Sequence, residues 1–322
     1  MSEKYKKQLI SIDEKEVLFE KYLPKTSFDR KADISGACIH FYTDCKDWLD
    51  QWDINWYFIS EEIRSHAKIV AIKGTGKKPT VKYDPISRTL FFFDCNYYGW
   101  IKSAALALIG DVLEDNHSIF SIHGALLDVN GKGISIIGPS GTGKTTLSYG
   151  LLKYKETKLV SDDWYFFHFE NSDAVAYASE KNTYIRADVA KVWPEFKSLL
   201  KDVKLDNKGR AVVDVSRAIG KGKTLKTTDI ATIILLQRQK GQPEMKKLKP
   251  EEALKYMEKN VYCNPHILQT NAWKKKVRKK SFLKLFQHCN VYLLNTIETP
   301  SQSLERILEV LGTDVVGIDW SY

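Results

Sequence analysis

The chain has no long uninterrupted apolar run and no paired-cysteine pattern. No stretch approaches the roughly 18 uncharged apolar residues of a membrane span, and residues 1–16 lack the apolar segment of a signal peptide. The five cysteines are odd in number and form no C-x-x-C motif, which argues against a disulfide framework and against a zinc site. We therefore expect a cytoplasmic protein with reduced thiols and no membrane partner.

Internal repeats and low-complexity segments are missing as well, so no repeat array is indicated. Hydrophobic residues make up 43% and aromatic residues 12% of the 322 residues, which is enough apolar material for a sizeable core. A chain of this length exceeds what one small core needs. The sequence therefore predicts two domains, over residues 1–115 and 116–322.

The first 115 residues mix strand and helix patterns. Residues 1–30 give only weak signals. Strand-like runs cover 37–42, 67–72, 81–83 and 89–93, and apolar residues recur at helical spacing over 100–113. These patterns predict a smaller α+β N-terminal domain.

The remainder predicts a larger α/β domain with a mixed sheet. Its clearest buried strand is Ile230–Leu236. Helices are predicted over 146–152, 187–200, 251–258, 273–289 and 304–311. On the helix over 273–289, one buried face is expected to carry Trp273, Val277, Leu285 and Phe286.

A phosphate-loop motif, G-x-x-x-x-G-K-[ST], lies between an apolar strand and a helix. Glycines let backbone N–H groups turn inward around phosphate oxygens, and the helix N-terminus adds the positive end of its dipole. Lys144 is expected to bridge the outer phosphates, and the Thr145 hydroxyl to hold Mg²⁺. The predicted nucleotide-binding residues are Gly138, Pro139, Ser140, Gly141, Thr142, Gly143, Lys144, Thr145 and Thr146.

Positive charge is concentrated in the part of the chain that carries this motif. Residues 1–130 have a net charge of −2 and residues 131–322 a net charge of +11, which together give the chain's +9. That distribution suits a polyanionic ligand such as a nucleotide. The densest basic run, Lys274–Lys280, is typical of the solvated side of a docked helix, and no nucleic-acid-binding motif accompanies it.

An acidic pair follows the strand that comes after the loop helix. Asp162 and Asp163 lie 18 and 19 positions after Lys144, a distance that one helix and one returning strand span. In open α/β sheets, residues that handle ligands lie at the carboxyl ends of strands. One carboxylate could hold the metal and the other could accept a proton from an attacking hydroxyl. His123 alone is a weaker signal, because a single histidine before a strand is more often structural.

Three runs together resemble the bacterial HPr kinase/phosphorylase family. They read HGALLDV from His123, GISIIGPSGTGKT from Gly133 and LVSDD from Leu159. The loop also resembles that of ATP-dependent phosphoenolpyruvate carboxykinase, which has the same nucleotide-binding core. The resemblance covers residues 121–167 and implies a phosphate-loop kinase core of the HPr kinase and carboxykinase type, with a mixed sheet.

This resemblance implies roles for individual residues. Asp162 would be the base toward a serine hydroxyl, and His123 would lie near the transferred phosphate. The family has a Glu-Ile-Arg-Gly segment whose glutamate helps to hold the metal, and this chain has Tyr184-Ile185-Arg186-Ala187 there. Arg186 is retained as a catalytic candidate. Thr145, Asp163 and Glu180, four residues before Tyr184, are then the candidate metal ligands.

Three functions remain open on the sequence. The first is an ATP- and Mg²⁺-dependent kinase that phosphorylates a hydroxyl of a small molecule or a protein serine, with residues 1–115 recognising the acceptor. The second is a nucleotide-dependent switch whose basic surface binds a protein or nucleic acid, although nucleic acid is the less favoured partner. The third and least favoured is a decarboxylating enzyme of the carboxykinase type. A homo-oligomer is compatible with all three.

Overall fold

The computed structural model describes residues 5–186, 188–200, 209–213, 220 and 222–312. The chain divides into two compact units. Residues 1–121, with the short segments 179–181 and 265–271, form the first, and the second comprises 122–178, 182–264 and 272–322. The sequence placed the change of domain at residue 115 and did not anticipate the two returning segments.

Among its described residues, the first unit has a seven-stranded mixed sheet and three α-helices. The strand order is β1-β6-β7-β5-β3-β2-β4. The strands are β1 Lys6–Leu9, β2 Phe28–Ile34, β3 Ala37–Thr43, β4 Tyr57–Phe58, β5 Ala67–Lys73, β6 Thr80–Asp84 and β7 Thr89–Cys95. The helices are α1 Ile12–Tyr22, followed by a 3₁₀ turn over Leu23–Lys25, α2 Lys46–Asn55 and α3 Tyr98–His117.

Several of these elements follow directly from the sequence. The predicted strands over 81–83 and 89–93 are present and pair as an antiparallel hairpin of β6 and β7, with Val81 opposite Phe92. Helix α3 extends the predicted 100–113 segment at both ends and is buried along most of its length. Helix α1 begins with a capping box, in which Ser11 accepts from Glu14 N–H and the Glu14 carboxylate accepts from Ser11 N–H. The weak signals of residues 1–30 had left α1 unpredicted.

The second unit is built on a mixed sheet that has nine strands over the described residues, and its strand β8 begins two residues before the unit does. The path is β11-β9-β10-β16-β13-β12-β8, with β18 beside β16 and β17 beside β18. The strands are β8 Phe120–Ile122, β9 Gly124–Val129, β10 Lys132–Ile137, β11 Thr157–Ser161, β12 Tyr165–Glu170, β13 Asp173–Ala178, β16 Thr227–Gln237, β17 Met245–Lys247 and β18 Asn290–Asn295. A separate two-stranded sheet pairs β14 Thr183–Arg186 with β15 Arg210–Val213.

The helices in the described part of this unit are α4 Lys144–Leu152, α5 Val189–Val192, α6 Pro250–Lys259, α7 Ala272–His288 and α8 Pro300–Leu311. The mixed α/β class that the sequence predicts is confirmed. The predicted helix over 187–200 is wrong in its length, since Val189–Val192 is followed by a 3₁₀ segment, Pro194–Leu200. Pro194 explains the break, because proline lacks the N–H that would continue the helix.

The predicted apolar face of α7 is also wrong at its first residue. Trp273 is 55% exposed, whereas Lys274 and Arg278 are buried together with Phe282 and Leu285. Aliphatic stems of long basic side chains can cover apolar surface, so charge alone did not identify the buried face. No described helix combines the length and apolarity that crossing a membrane requires.

Candidate active site

Three sequence motifs meet at one edge of the larger sheet. Strands β10 and β11 both run antiparallel to β9, which lies between them. Their carboxyl ends and the amino end of β9 therefore share an edge, and the register places Ile137 opposite Gly124 and Ser161 opposite Leu126. The phosphate loop follows β10, the acidic pair follows β11 and His123 precedes β9.

The glycines of the phosphate loop shape an open cradle. Gly141 and Gly143 have φ of +85° and +103°, values that L side chains rarely adopt. Apart from each glycine's chain neighbours, no atom of the described residues lies within 4 Å of where a Cβ would stand. Gly138 serves close packing instead. A Cβ there would lie 2.7 Å from Thr142 Oγ1 and 2.8 Å from Leu236 Cβ. Two glycines thus leave space open for a ligand, and one lets the loop approach β16.

Hydrogen bonds hold this loop on the sheet. Lys144 Nζ donates to the Gly138 carbonyl at 2.7 Å, which places its ammonium group over the loop. Thr142 Oγ1 donates to Pro139 O at 2.8 Å. Thr296, directly after β18, donates its hydroxyl to Thr142 O at 2.8 Å. The loop is therefore supported by its own side chains and by a residue 154 positions further along the chain.

Helix α4 starts at Lys144, so its N-terminus opens onto the loop. Gly143 is the N-cap, and its carbonyl accepts from Leu147 N–H at 2.9 Å. Thr145 and Thr146 are half-buried in the first turn. The indole N–H of Trp193 donates to Thr146 O at 2.7 Å, which anchors that turn. Free N–H groups of a first helical turn favour anions.

The acidic pair occupies a tight turn after β11. Ser161 Oγ donates to the Trp164 carbonyl and closes the turn around the two aspartates. Asp162 is only 7% exposed, whereas the Asp163 side chain is 36% exposed. Burial, with a smaller contribution from the Asp162 charge, raises the pKa of Tyr149 on α4 well above its usual value.

His123 and Asp163 are brought into contact. His123 Nε2 lies 3.3 Å from Asp163 Oδ1, and His123 Nδ1 lies 2.8 Å from the Cys263 carbonyl. Because a carbonyl only accepts, Nδ1 carries a hydrogen in this arrangement. A doubly protonated ring would donate to both acceptors at once. His123 thus lies within the cluster of predicted site residues.

The donor set at this edge fits Mg²⁺ and a triphosphate. Hydroxyl and carboxylate oxygens are the hard ligands that Mg²⁺ prefers, and Thr145 and Asp163 offer one of each. The described residues contain no group of three or more His, Cys, Asp or Glu that could form a metal cage. Protein Mg²⁺ sites that use one or two side chains rely on substrate phosphates for further ligands. The open cradle at Gly141 and Gly143 suits those phosphates.

Two predicted site residues are placed differently or cannot be placed. Glu180 belongs to the first unit, where its carboxylate forms an ion pair with Lys102 at 2.8 Å, each side chain being 4% exposed. Its role as a metal ligand stays a prediction. Arg186 ends strand β14, but the side chains of Tyr184 and Arg186 lie outside the described part of the structure. The catalytic role of Arg186 therefore also stays a prediction.

Sequence reasoning missed the residues that support the site. Thr296 follows the parallel strand β18, and a search of strand carboxyl ends would have included it. Trp193 directly follows α5 and lies inside the segment 187–200 that was predicted to be one continuous helix. Cys263 contributes a backbone carbonyl, which no side-chain pattern reveals.

A phosphate-loop motif, an acidic pair and a histidine thus lie together at one edge of a mixed sheet. No family model matches the chain. Curated relatives from Lactobacillus johnsonii and Lactobacillus gasseri, both described as HPr kinase/phosphorylase, are each 31% identical over 117 residues. That match covers 36% of this chain and 31% of each relative, so the chain spans about a third of the length of the curated relatives it matches.

A solved structure gives a fainter similarity. The HPr(Ser) kinase/phosphatase from Coxiella burnetii has a TM-score of 0.29 and 19% identity, over 40% of this chain and 77% of that one. A TM-score this low carries no argument about the fold. The curated relatives confirm the similarity to HPr kinases that the sequence motifs indicate.

Proposed function

We propose that the second unit is an ATP- and Mg²⁺-dependent kinase with a core of the HPr kinase and carboxykinase type. It transfers the γ-phosphate to a hydroxyl of a small molecule or a protein serine. The observation that carries the proposal is the meeting of the phosphate loop, Asp162–Asp163 and His123 at one sheet edge. A tight glycine turn alone would need neither the acidic pair nor the histidine.

In the proposed reaction, the chain's residues position the reactants and neutralise charge. Loop amides and Lys144 would bind the phosphates. Thr145 and Asp163 would hold the metal, which would neutralise charge on the phosphate oxygens. Asp162 takes the hydroxyl proton as that oxygen bonds to the γ-phosphorus. The bond from phosphorus to the β-phosphate oxygen breaks, and ADP leaves. Arg186 steadies the transferred group, and the first unit recognises the acceptor.

The base assignment has a direct test. Asp162→Asn removes the proton acceptor at nearly unchanged size, so it should keep ATP affinity and lose phosphate transfer by about 10²–10⁴-fold, the range that general bases contribute. The protein is incubated with γ-labelled ATP, Mg²⁺, metabolite pools and cell protein, and labelled products are quantified. Asp173→Asn, at the exposed β12–β13 turn, is the matched control and should behave as wild type. Turnover by Asp162→Asn at the wild-type rate would show that another group is the base.

A nucleotide-dependent switch is the second candidate, because one side of α7 exposes a basic run. Lys275, Lys276, Lys279 and Lys280 are all exposed. Such a surface would bind a polyanion with strong salt dependence, in a manner controlled by ATP. In the labelling experiment, label found only in inorganic phosphate would favour the switch over the kinase.

A further inference from the structure

An unusual turn lies behind His123. Val261, Tyr262 and Cys263 have φ of 52°, 52° and 53°, so three consecutive residues other than glycine occupy the left-handed region. Valine is especially disfavoured there because its β-branched side chain crowds the backbone. Two hydrogen bonds close the turn, from Cys263 N–H to Asn260 O at 2.9 Å and from Asn264 N–H to Val261 O at 3.1 Å. Strain of this kind persists only where the surroundings fix the backbone, and it concentrates at functional sites.

The turn aims one carbonyl at the histidine. Cys263 O accepts from His123 Nδ1 at 2.8 Å, which leaves Nε2 directed at Asp163 Oδ1, 3.3 Å away. The bond made by one ring nitrogen sets the tautomer and orientation of the other. A right-handed backbone at these residues would point the Cys263 carbonyl elsewhere. The left-handed turn and the ring orientation are therefore linked.

The turn directly follows α6, and Asn260 N–H donates to Tyr256 O at 3.1 Å where that helix ends. Tyr256 donates its hydroxyl to Leu236 O, at the end of the strand that packs against the phosphate loop. The Cys263 side chain is fully buried, and burial raises the pKa of its thiol to about 11, although the nearby Lys144 ammonium opposes that rise. The thiol is thus protonated near neutral pH. This leaves the backbone carbonyl, rather than the sulfur, as the functional group of Cys263.

We propose that the left-handed turn Val261–Cys263 is a positioning element for His123, holding Nδ1–H on the Cys263 carbonyl so that Nε2 faces Asp163. Its consequence for phosphate transfer rests on the proposed function, whereas its effect on the ring does not. The turn has no matching motif among the runs that carry the family resemblance.

The orientation of the ring can be measured without any activity. In protein carrying ¹⁵N-labelled histidine, the His123 ring should show a hydrogen on Nδ1 that exchanges slowly with water. A His123 ring with bare Nδ1 in the unmodified protein would overturn the proposal. Val261→Gly, which suits a positive φ, should keep that signal, and Val261→Pro, which fixes φ near −65°, should lose it.

Kinetic measurements then test whether the turn affects catalysis through His123. Val261→Pro should lower kcat by about 10–100-fold, the usual cost of losing the partner that orients a functional histidine, with ATP affinity unchanged. Replacing the same residue by glycine, Val261→Gly, should give a higher kcat than Val261→Pro, because glycine accepts the positive φ. In a His123→Phe background, whose side chain has no hydrogen-bond donor, Val261→Pro should cause no further loss. An equal loss in both backgrounds would mean that the turn is merely structural and would overturn the proposal.

The two measurements separate the possible failures. If the ring signal follows the turn but no phosphate acceptor is ever labelled, the positioning holds and the kinase assignment fails. If phosphate is transferred but the Nδ1–H signal of His123 is unchanged in Val261→Pro, the kinase assignment holds and the positioning role of the turn fails. Circular dichroism and thermal unfolding of Val261→Pro establish that it is folded. Should it not fold, the Nδ1 measurement on the unmodified protein still decides.

Discussion

Removing the Tyr149 hydroxyl should stabilise the protein, although the residue lies beside the acidic pair. Tyr149 is fully buried on α4, and its ring packs edge-on against Phe196 at 5.1 Å between centroids. Its hydroxyl has no hydrogen-bond partner among the described residues. Tyr149→Phe keeps the ring and removes only the group that is buried without a partner.

The size of the effect follows from desolvation. A hydroxyl buried without a hydrogen bond destabilises the folded protein by about 1–3 kcal/mol. Removing it gains that free energy, but the small void left by the oxygen offsets part of the gain. We expect Tyr149→Phe to raise the free energy of unfolding by about 1 kcal/mol. For a unit of this size that corresponds to a rise in Tm of about 2–4 °C.

Urea unfolding followed by fluorescence measures the change as a higher midpoint at unchanged slope. Tyr165→Phe is the matched control, because its equally buried hydroxyl bonds with that of Ser135. It should destabilise by about 1–3 kcal/mol, since Ser135 would lose its partner. A lowered midpoint for Tyr149→Phe would show that its hydroxyl is bonded in solution and would refute this reasoning.

Two further predictions concern ionisable groups. Burial is the largest cause that raises the pKa of Tyr83, Tyr165 and Tyr256, so these hydroxyls stay neutral in the native protein. In the unfolded chain the same tyrosines ionise above their usual pKa near 10. The free energy of unfolding should be unaffected below pH 10 and should fall above it by about 1.4 kcal/mol per pH unit for each such tyrosine. Urea unfolding midpoints measured against pH test this. A midpoint that does not fall above pH 10 would contradict the burial of these rings. Glu180→Gln should lower the free energy of unfolding by about 3 kcal/mol, because Lys102 would keep its buried charge without the carboxylate. Urea unfolding measures that loss, an unchanged midpoint would contradict it, and a raised Mg²⁺ requirement for turnover would support a metal role for Glu180.

Local sequence patterns predicted the parts of the site that are contiguous along the chain. Gly138–Thr145 form the expected loop between strand and helix, and Asp162 follows the next strand. Ile230–Leu236 lies in β16, which pairs with β10, β13 and β18 and is central as its apolar run indicates. These features depend on hydrophobic periodicity and on the positions of glycines, and both can be recognised from residues that are close together in the sequence.

The features that sequence did not predict depend on distant partners. The left-handed backbone of Val261–Cys263 contradicts the local preference of its own residues, so only the surrounding structure can impose it. Lys274 and Arg278 are buried because of what α7 packs against, whereas their charge predicted exposure. Glu180 returns to the first unit within a three-residue segment, too short for composition to mark.

The hydrogen bond from Thr296 to the phosphate loop has a consequence for synthesis of the chain. During translation the entire loop motif emerges well before β18, the strand that carries this support. Strands β10, β16 and β18 are parallel neighbours, so the sheet edge can be completed only when its last strand has arrived. The nascent chain therefore contains the complete loop motif long before it contains β18, so the loop gains the support of Thr296 only after that strand has been synthesised.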